Sequence, residues 1–386
     1  MNDETANDTQ KIFGGGLDAA YHDHIHEALR GLLEQGLTED EAVERLADVV
    51  PTFLDKATEG VIDSLRGTGA EIYLEHQAVA QEFEARLFRR WREPLTLFKM
   101  VLVAAREAGS DFVRPPDSDE SHRFRHSALR LIHARACVTA SEVFALLRTG
   151  HAFGAHARWR TMHELAVVAF LFGDVERGEE LAERYLLHQA VQQAKDAKQY
   201  KQHADALGYE SFHDEEIERI NRRGDQLVER FGRSFRNQYG WAVPLFDGNF
   251  DPNFSELEQV AALDHMRAHY GWASHRVHAG SKGVMLNVLQ RGPTEVLLTG
   301  PTNIGLADPG HGALIALHQI TTALLIHGKP NIEEEPSRII VIQVLLKLVE
   351  EAGEAFLKVH RQIEAEEEHL WAEGGPEGHD VGGSQF

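Results

Sequence analysis

The sequence predicts a mainly α protein, a multi-helix, bundle-like domain with one short β-hairpin. Two observations carry that prediction. Apolar residues recur at three- and four-residue spacing along nearly the whole chain, the period of a helix with one buried face. Only "VMLNVLQRGPTEVLLT" (284–299) pairs short aliphatic runs across a Gly-Pro turn.

The elements follow in order. Residues 1–14 are polar and predict disorder. "LDAAYHDHIHEALRGLLEQG" (17–36) is a first helix, stopped by Gly36. Thr38 followed by Glu41 is a capping-box signature for a second. Pro51 suits the first turn of a third, ending near Leu65. The glycines of "RGTGAE" (66–71) predict a break. Residues 1–66 therefore read as an acidic helical N-terminal module, dispensable for the fold of a main helical domain at 70–330. Within that domain a long amphipathic pattern covers 70–108, with Pro94 as a kink, and 109–121 is a Pro-rich loop. Helices follow at 122–149, 152–172, 175–206, 213–236 and 255–279, with an irregular aromatic connection at 239–255. The hairpin pairs 284–289 with 295–299. "GPTNIGLADPGHG" (300–312) is a loop, and its lack of Gly-Lys-Ser/Thr argues against a nucleotide loop. A helix at 312–328 closes the domain. A C-terminal helix lies within 331–370, and 371–386 is a disordered tail.

Composition narrows the function classes. The 386 residues are 42% hydrophobic and 26% charged, ample for a sizeable core. No run approaches the ~20 apolar residues that a membrane helix needs. The first ten residues lack a signal-peptide pattern, so a cytoplasmic protein with no membrane partner is expected. A single cysteine, Cys137, leaves no pair for an intramolecular disulfide and no Cys-based zinc site. The net charge of −22 is uneven: residues 1–85 carry −14 and residues 86–160 carry +7. The whole-chain charge opposes a broad grip on nucleic acid. The arginines of 86–160 form a local basic patch or pair with the acidic segments.

The stretch that points to chemistry is "ARWRTMHELAVVAFLF" (157–172). Eight apolar residues, 165–172, follow Arg158, Arg160, His163 and Glu164. On a helix Arg160 stacks on Glu164 and neighbours His163, while Arg158 sits about 140° from His163. The apolar run predicts that Arg160 and Glu164 are largely buried and bonded to each other. In "YGWASHRVHAG" (270–280), Tyr270, Ser274 and His278 recur every four residues. If the two helices pack, the blocks form an acid–base site: Arg158 or Arg160 for phosphate, His163 and His278 for proton transfer, Glu164 as orienter, Ser274 beside them. Ser274 lacks the Gly-flanked turn of a nucleophile elbow. This predicts a metal-independent nuclease or phosphodiesterase acting on RNA or another phosphodiester. The alternative is a binding or scaffolding module whose polar blocks only specify packing. No cofactor or metal is predicted: "YHDHIHE" (21–27) offers only His22 and His26 on one face, and the one Glu-x-x-His match, Glu366 to His369, is in the acidic arm. The terminal helices suit self-association.

Six blocks occur in order: "RLFRRWREPLTLF" (86–98), "ARWRTMHELAVVAF" (157–170), "ERYLLH" (183–188), "YGWA" (239–242), "ASHRVHAG" (273–280) and "GPTNIGLADPG" (300–310). Together they resemble the bacterial family catalogued as domain of unknown function 5677, over about 70–330. The resemblance implies a bacterial, mainly helical protein with these blocks in one domain, and no established activity. Arg158-x4-His163 also resembles the Arg-x4-6-His motif of the all-α ribonucleases named for higher eukaryote and prokaryote nucleotide binding.

Overall fold

The computed structural model describes residues 17–111, 122–174, 176–246, 251–291, 294–327 and 336–372. The expectations for 1–14, 112–121, Val175, 247–250, the Gly-Pro turn at 292–293, 328–335 and 373–386 lie outside these residues, and residues 109–111, expected as loop, are helical instead. The chain divides into two compact units, Met1–Phe83 and Glu84–Phe386.

In the first unit, α1 (Leu17–Glu34) ends at Gly36, whose φ of +88° favours glycine. The capping box forms as expected: the Thr38 amide donates to Glu41 at 2.9 Å, and the Glu41 amide to the Thr38 hydroxyl at 3.4 Å. It opens α2 (Glu39–Asp111), which continues through Pro51 and through "RGTGAE". The predicted start at Pro51 and break at 66–71 are therefore corrected. An exposed helical glycine costs only about 1 kcal/mol against Ala, and good helix formers flank Gly67 and Gly69. Phe53 of α2 packs on the rings of Tyr21 and His24 of α1, with centroids 5.6 and 4.6 Å away.

The second unit begins within α2. Trp91 there has non-helical angles (φ −97°, ψ 17°). Pro94 lacks an amide hydrogen and crowds the preceding turn, so the kink falls N-terminal to the proline itself. Next come α3 (Arg123–Arg148), α4 (Ala152–Leu171), α5 (Gly178–Leu207) and α6 (Asp214–Phe231). Then α7 (Phe254–Val260), α8 (Arg267–His275) and α9 (Ser281–Met285) are short. Strands β1 (Val288–Arg291) and β2 (Thr294–Leu297) pair antiparallel, with Val288 opposite Leu297. Last are α10 (Ala307–Ile326) and α11 (Pro336–Ala372). The fold is mainly α with one two-stranded hairpin among the described residues.

Helix α4 is central, packed against α3, α10, α7 and α8; α10 also packs on α3 and α11, and α5 on α3 and α6. Phe98, Leu102, Met162, Phe172, Leu317 and Phe356 are buried between these helices.

Four sequence readings change. The helix expected over 255–279 is two helices joined by a 3-10 turn at Asp264–Met266. Ala262 adopts φ +55°, and the Leu263 amide returns to the Glu258 carbonyl at 2.9 Å, closing α7 with Leu263 buried. Alanine is a rare residue for this left-handed closure, so no glycine announced it. The helix expected over 213–236 stops at Phe231, where Gly232 turns at φ +93° into a 3-10 turn. Val284 and Met285, expected to begin the first strand, end α9 instead. The loop expected through 312 becomes helix at Ala307. Its glycines allow close packing: a Cβ at Gly310 would lie 2.5 Å from the Phe356 ring, and one at Gly312 2.5 Å from the Trp159 ring.

Candidate functional site

The head of α4 carries two hydrogen-bonded ladders. In one, Arg160 bridges Glu164 at 3.0 Å and donates to the Tyr270 hydroxyl, which donates to Glu164 at 2.7 Å. The guanidinium also stacks on the Tyr270 ring, 4.6 Å from its centroid. Burial and the adjoining Glu164 carboxylate raise the Tyr270 pKa, so it remains a phenol and a donor. In the other ladder, His163 Nε2 lies 2.8 Å from Glu258, and Arg267 donates to the other Glu258 oxygen at 2.6 Å. Glu258 is fully buried and His163 is 3% exposed. Burial lowers the His163 pKa, with Glu258 and Glu164 pulling the other way. The neutral imidazole therefore donates its Nε2 proton to a carboxylate whose charge Arg267 balances.

Each expected site residue can now be placed. Arg160, Glu164 and Tyr270 meet; the expected Arg160–Glu164 pair forms, with the two side chains 25% and 34% exposed and so within reach of water. The apolar run lies beyond them on α4, and α8 covers only one side of the pair. His163 does turn toward α8, its ring 5.7 Å from that of Tyr270. Arg158 points elsewhere, to Glu142 at 3.1 Å. The Ser274 hydroxyl donates to the Tyr270 carbonyl one turn back, at 2.9 Å. Helix α8 ends at His275, and His278 sits exposed in the following turn, its amide bonded back to the Ser274 carbonyl at 3.2 Å. Glu258, the hydrogen-bond partner of His163, and Arg267, which in turn binds Glu258, escaped the sequence reading. Their spacing of nine residues matches no single-helix face, because the left-handed turn at Ala262 folds one back on the other.

The neighbouring face of α4 borders a cleft of about 560 Å³ between α4, α8, α10 and α11. His156 and Trp159 lie on its floor, at 8% and 3% exposure. His269 and Trp272 of α8 flank it, with rings 5.1 Å apart. Asp308 and His311 of α10 and Glu350, Glu354 and His360 of α11 complete the polar lining. Burial drives the His156 pKa down to about 3, with Arg276 and His269 adding to the effect. Burial also lowers His311, against the pull of Asp308. Both imidazoles are uncharged near neutral pH. Gly353 lets α11 approach His311: a Cβ there would lie 2.4 Å from the ring.

The sequence blocks meet in pairs. Trp91 Nε1 donates to the Asn303 side-chain oxygen at 2.8 Å, joining "RRWREP" to "GPTNIG". Buried Arg184 of "ERYLLH" donates to the Trp241 and Gly240 carbonyls of "YGWA", at 3.1 and 3.2 Å. Residues 126–293 match the model of a family of unknown function (DUF5677), the family that the blocks resemble. No curated protein and no solved structure matches the chain. The blocks at 86–98 and 300–310 lie outside the matched span, although Trp91 and Asn303 meet.

Proposed function

We propose that this protein is a binding module whose ligand is a small planar cation held in the α4–α8–α10–α11 cleft. The polar ladders at the head of α4 specify packing in this reading. One observation carries it: three carboxylates, Asp308, Glu350 and Glu354, surround an aromatic cleft with no lysine or arginine among its described lining residues. With His156 and His311 uncharged and the nearby Arg276 charge set against Asp308, Glu350 and Glu354 leave the cleft negative. A cation gains from the carboxylates and from the faces of Trp159 and Trp272, the latter 53% exposed. A phosphodiester meets repulsion at the same place. The volume suits a small ligand.

Isothermal titration with tryptamine and with indoleacetate, alike in shape and opposite in charge, tests this. Tryptamine is expected to bind, and Glu350→Gln with Glu354→Gln to weaken it about tenfold, roughly 1.4 kcal/mol. Preference for indoleacetate would overturn the proposal.

A second reading, the nuclease, is favoured by the buried Glu258 that orients His163, as a carboxylate orients an imidazole base. Arg160 would receive the phosphodiester and Glu164 would hold Arg160. RNA cleavage abolished by Arg160→Ala and retained in the Glu350/Glu354 variant would carry this reading instead.

A further inference from the structure

A second group of ionisable side chains lies away from the cleft, where the start of α3 meets the end of α10. His122 precedes α3 and makes no side-chain cap there. His126 follows one turn on, and His327 closes α10. The His327 ring is 6.2 Å from that of His122 and 5.8 Å from that of His126. Three buried nitrogens in this group have no hydrogen-bond partner among the described residues: Arg125 Nε, His126 Nε2 and His327 Nδ1. His126 is only 7% exposed, so its unpaired nitrogen is not compensated by bulk water.

Orphaned buried polar atoms are rare and costly, and three in one place point to a missing partner. The surroundings indicate its sign. Arg125 Nη2 donates to the Asp174 carbonyl at 2.9 Å, and Arg338 donates to the Leu325 carbonyl at 3.3 Å, so both guanidiniums are held here. The positive charges of Arg125 and Arg338 bear on His327, and that of Arg130 on His126. Among the described residues the facing acid is Glu179, whose two oxygens accept from the Phe124 and Arg125 amides at 2.8 and 3.0 Å. Glu179 thus caps α3 and leaves the side-chain nitrogens unsatisfied. A metal cation would face several guanidiniums. An anion would give the orphaned nitrogens acceptors and favour protonated imidazoles.

We propose that His122, Arg125, His126 and His327 form a binding site for a small oxyanion of the sulfate or phosphate type. Exposed His122 stands at its edge, and buried His126 and half-buried His327 lie behind it. Burial, with the neighbouring positive charges, pushes the pKa values of His126 and His327 down, His327 to about 4, and favours neutral imidazoles. An anion reverses that bias, so binding takes up protons and strengthens as pH falls.

Thermal unfolding of the full chain in sulfate and in chloride, at matched ionic strength, tests the site. Sulfate keeps its charge across this range, so the pH dependence belongs to the protein. At about pH 6 sulfate should raise Tm by about 2 °C or more above its general salting effect, and by less at about pH 8. The general effect is read from His126→Gln and from His327→Gln, either of which should remove the excess. His327 lies at a half-exposed helix end, so its variant keeps the fold if that of His126 does not. Inorganic phosphate and glycerol phosphate form further arms: a response to both admits an ester's phosphoryl group, and a response to inorganic phosphate alone restricts the site to the free ion. Equal sulfate shifts in wild type and variants would overturn the proposal. So would stabilisation by zinc that both variants abolish.

Discussion

His156 and His163 stand two turns apart on α4, at 8% and 3% exposure, and differ in what they face. His163 meets the buried carboxylate of Glu258, itself tied to Arg267. His156 borders the cleft, and Arg276 and His269 only oppose its protonation. The first is a finished network, in which each charge has a partner and removing one strands another. The second is left with cleft space beside it, which a ligand can fill. Burial therefore does not distinguish these two histidines; the partner does.

Acid unfolding should give the largest effect that probes this contrast. Burial lowers His133 to about 4 and His156 to about 3, while the unfolded chain keeps its histidines near the ordinary value of 6.5. Between these limits the unfolded state binds more protons, so stability is full above about pH 7 and falls as pH drops through 6.5. At pH 5 each of the two should have lost about 2 kcal/mol. Urea midpoints at several pH values measure the loss, and His156→Phe should flatten part of it. A flat profile in wild type would remove the claim that His156 is held neutral.

Glu258→Ala should come next, destabilising by about 3 kcal/mol because it leaves the His163 donor unpaired in a dry site. Glu258→Gln keeps an acceptor and should cost about 1 kcal/mol. If the two are equal by urea titration, the carboxylate's hydrogen bond is not what holds His163. Gly312→Ala should destabilise by about 2 kcal/mol through overpacking against Trp159, and should weaken tryptamine binding as the cleft floor shifts. Glu164→Ala should cost only about 1 kcal/mol, since water reaches Arg160 once its partner is gone. A cost equal to that of Glu258→Ala would show the two ladders to be one unit. His278→Ala, on an exposed turn, should change stability by less than about 0.5 kcal/mol.

The helices were legible wherever periodicity and caps agreed. Helix α4 begins and ends within a residue of its expected bounds, and α10 ends close to its own. Misreadings came where a local signal had a tertiary use. Gly310 and Gly312 resemble loop glycines, yet they sit in a helix because Phe356 and Trp159 leave no room for a Cβ. The turn at Ala262 carries no glycine, so the bend that brings Arg267 to Glu258 was invisible. Arg160–Glu164 followed from helical spacing, whereas Glu258 as the partner of His163 lies 95 residues away along the chain.

The sequence by itself determined the helical class, the single hairpin and the local i,i+4 pair, because these depend on side-chain period and on neighbours within one turn. The tertiary structure decided which charges are paired and which are left open. Partners such as Glu258 and Tyr270 come from other helices, and a side chain's electrostatic environment is set by whatever packs against it.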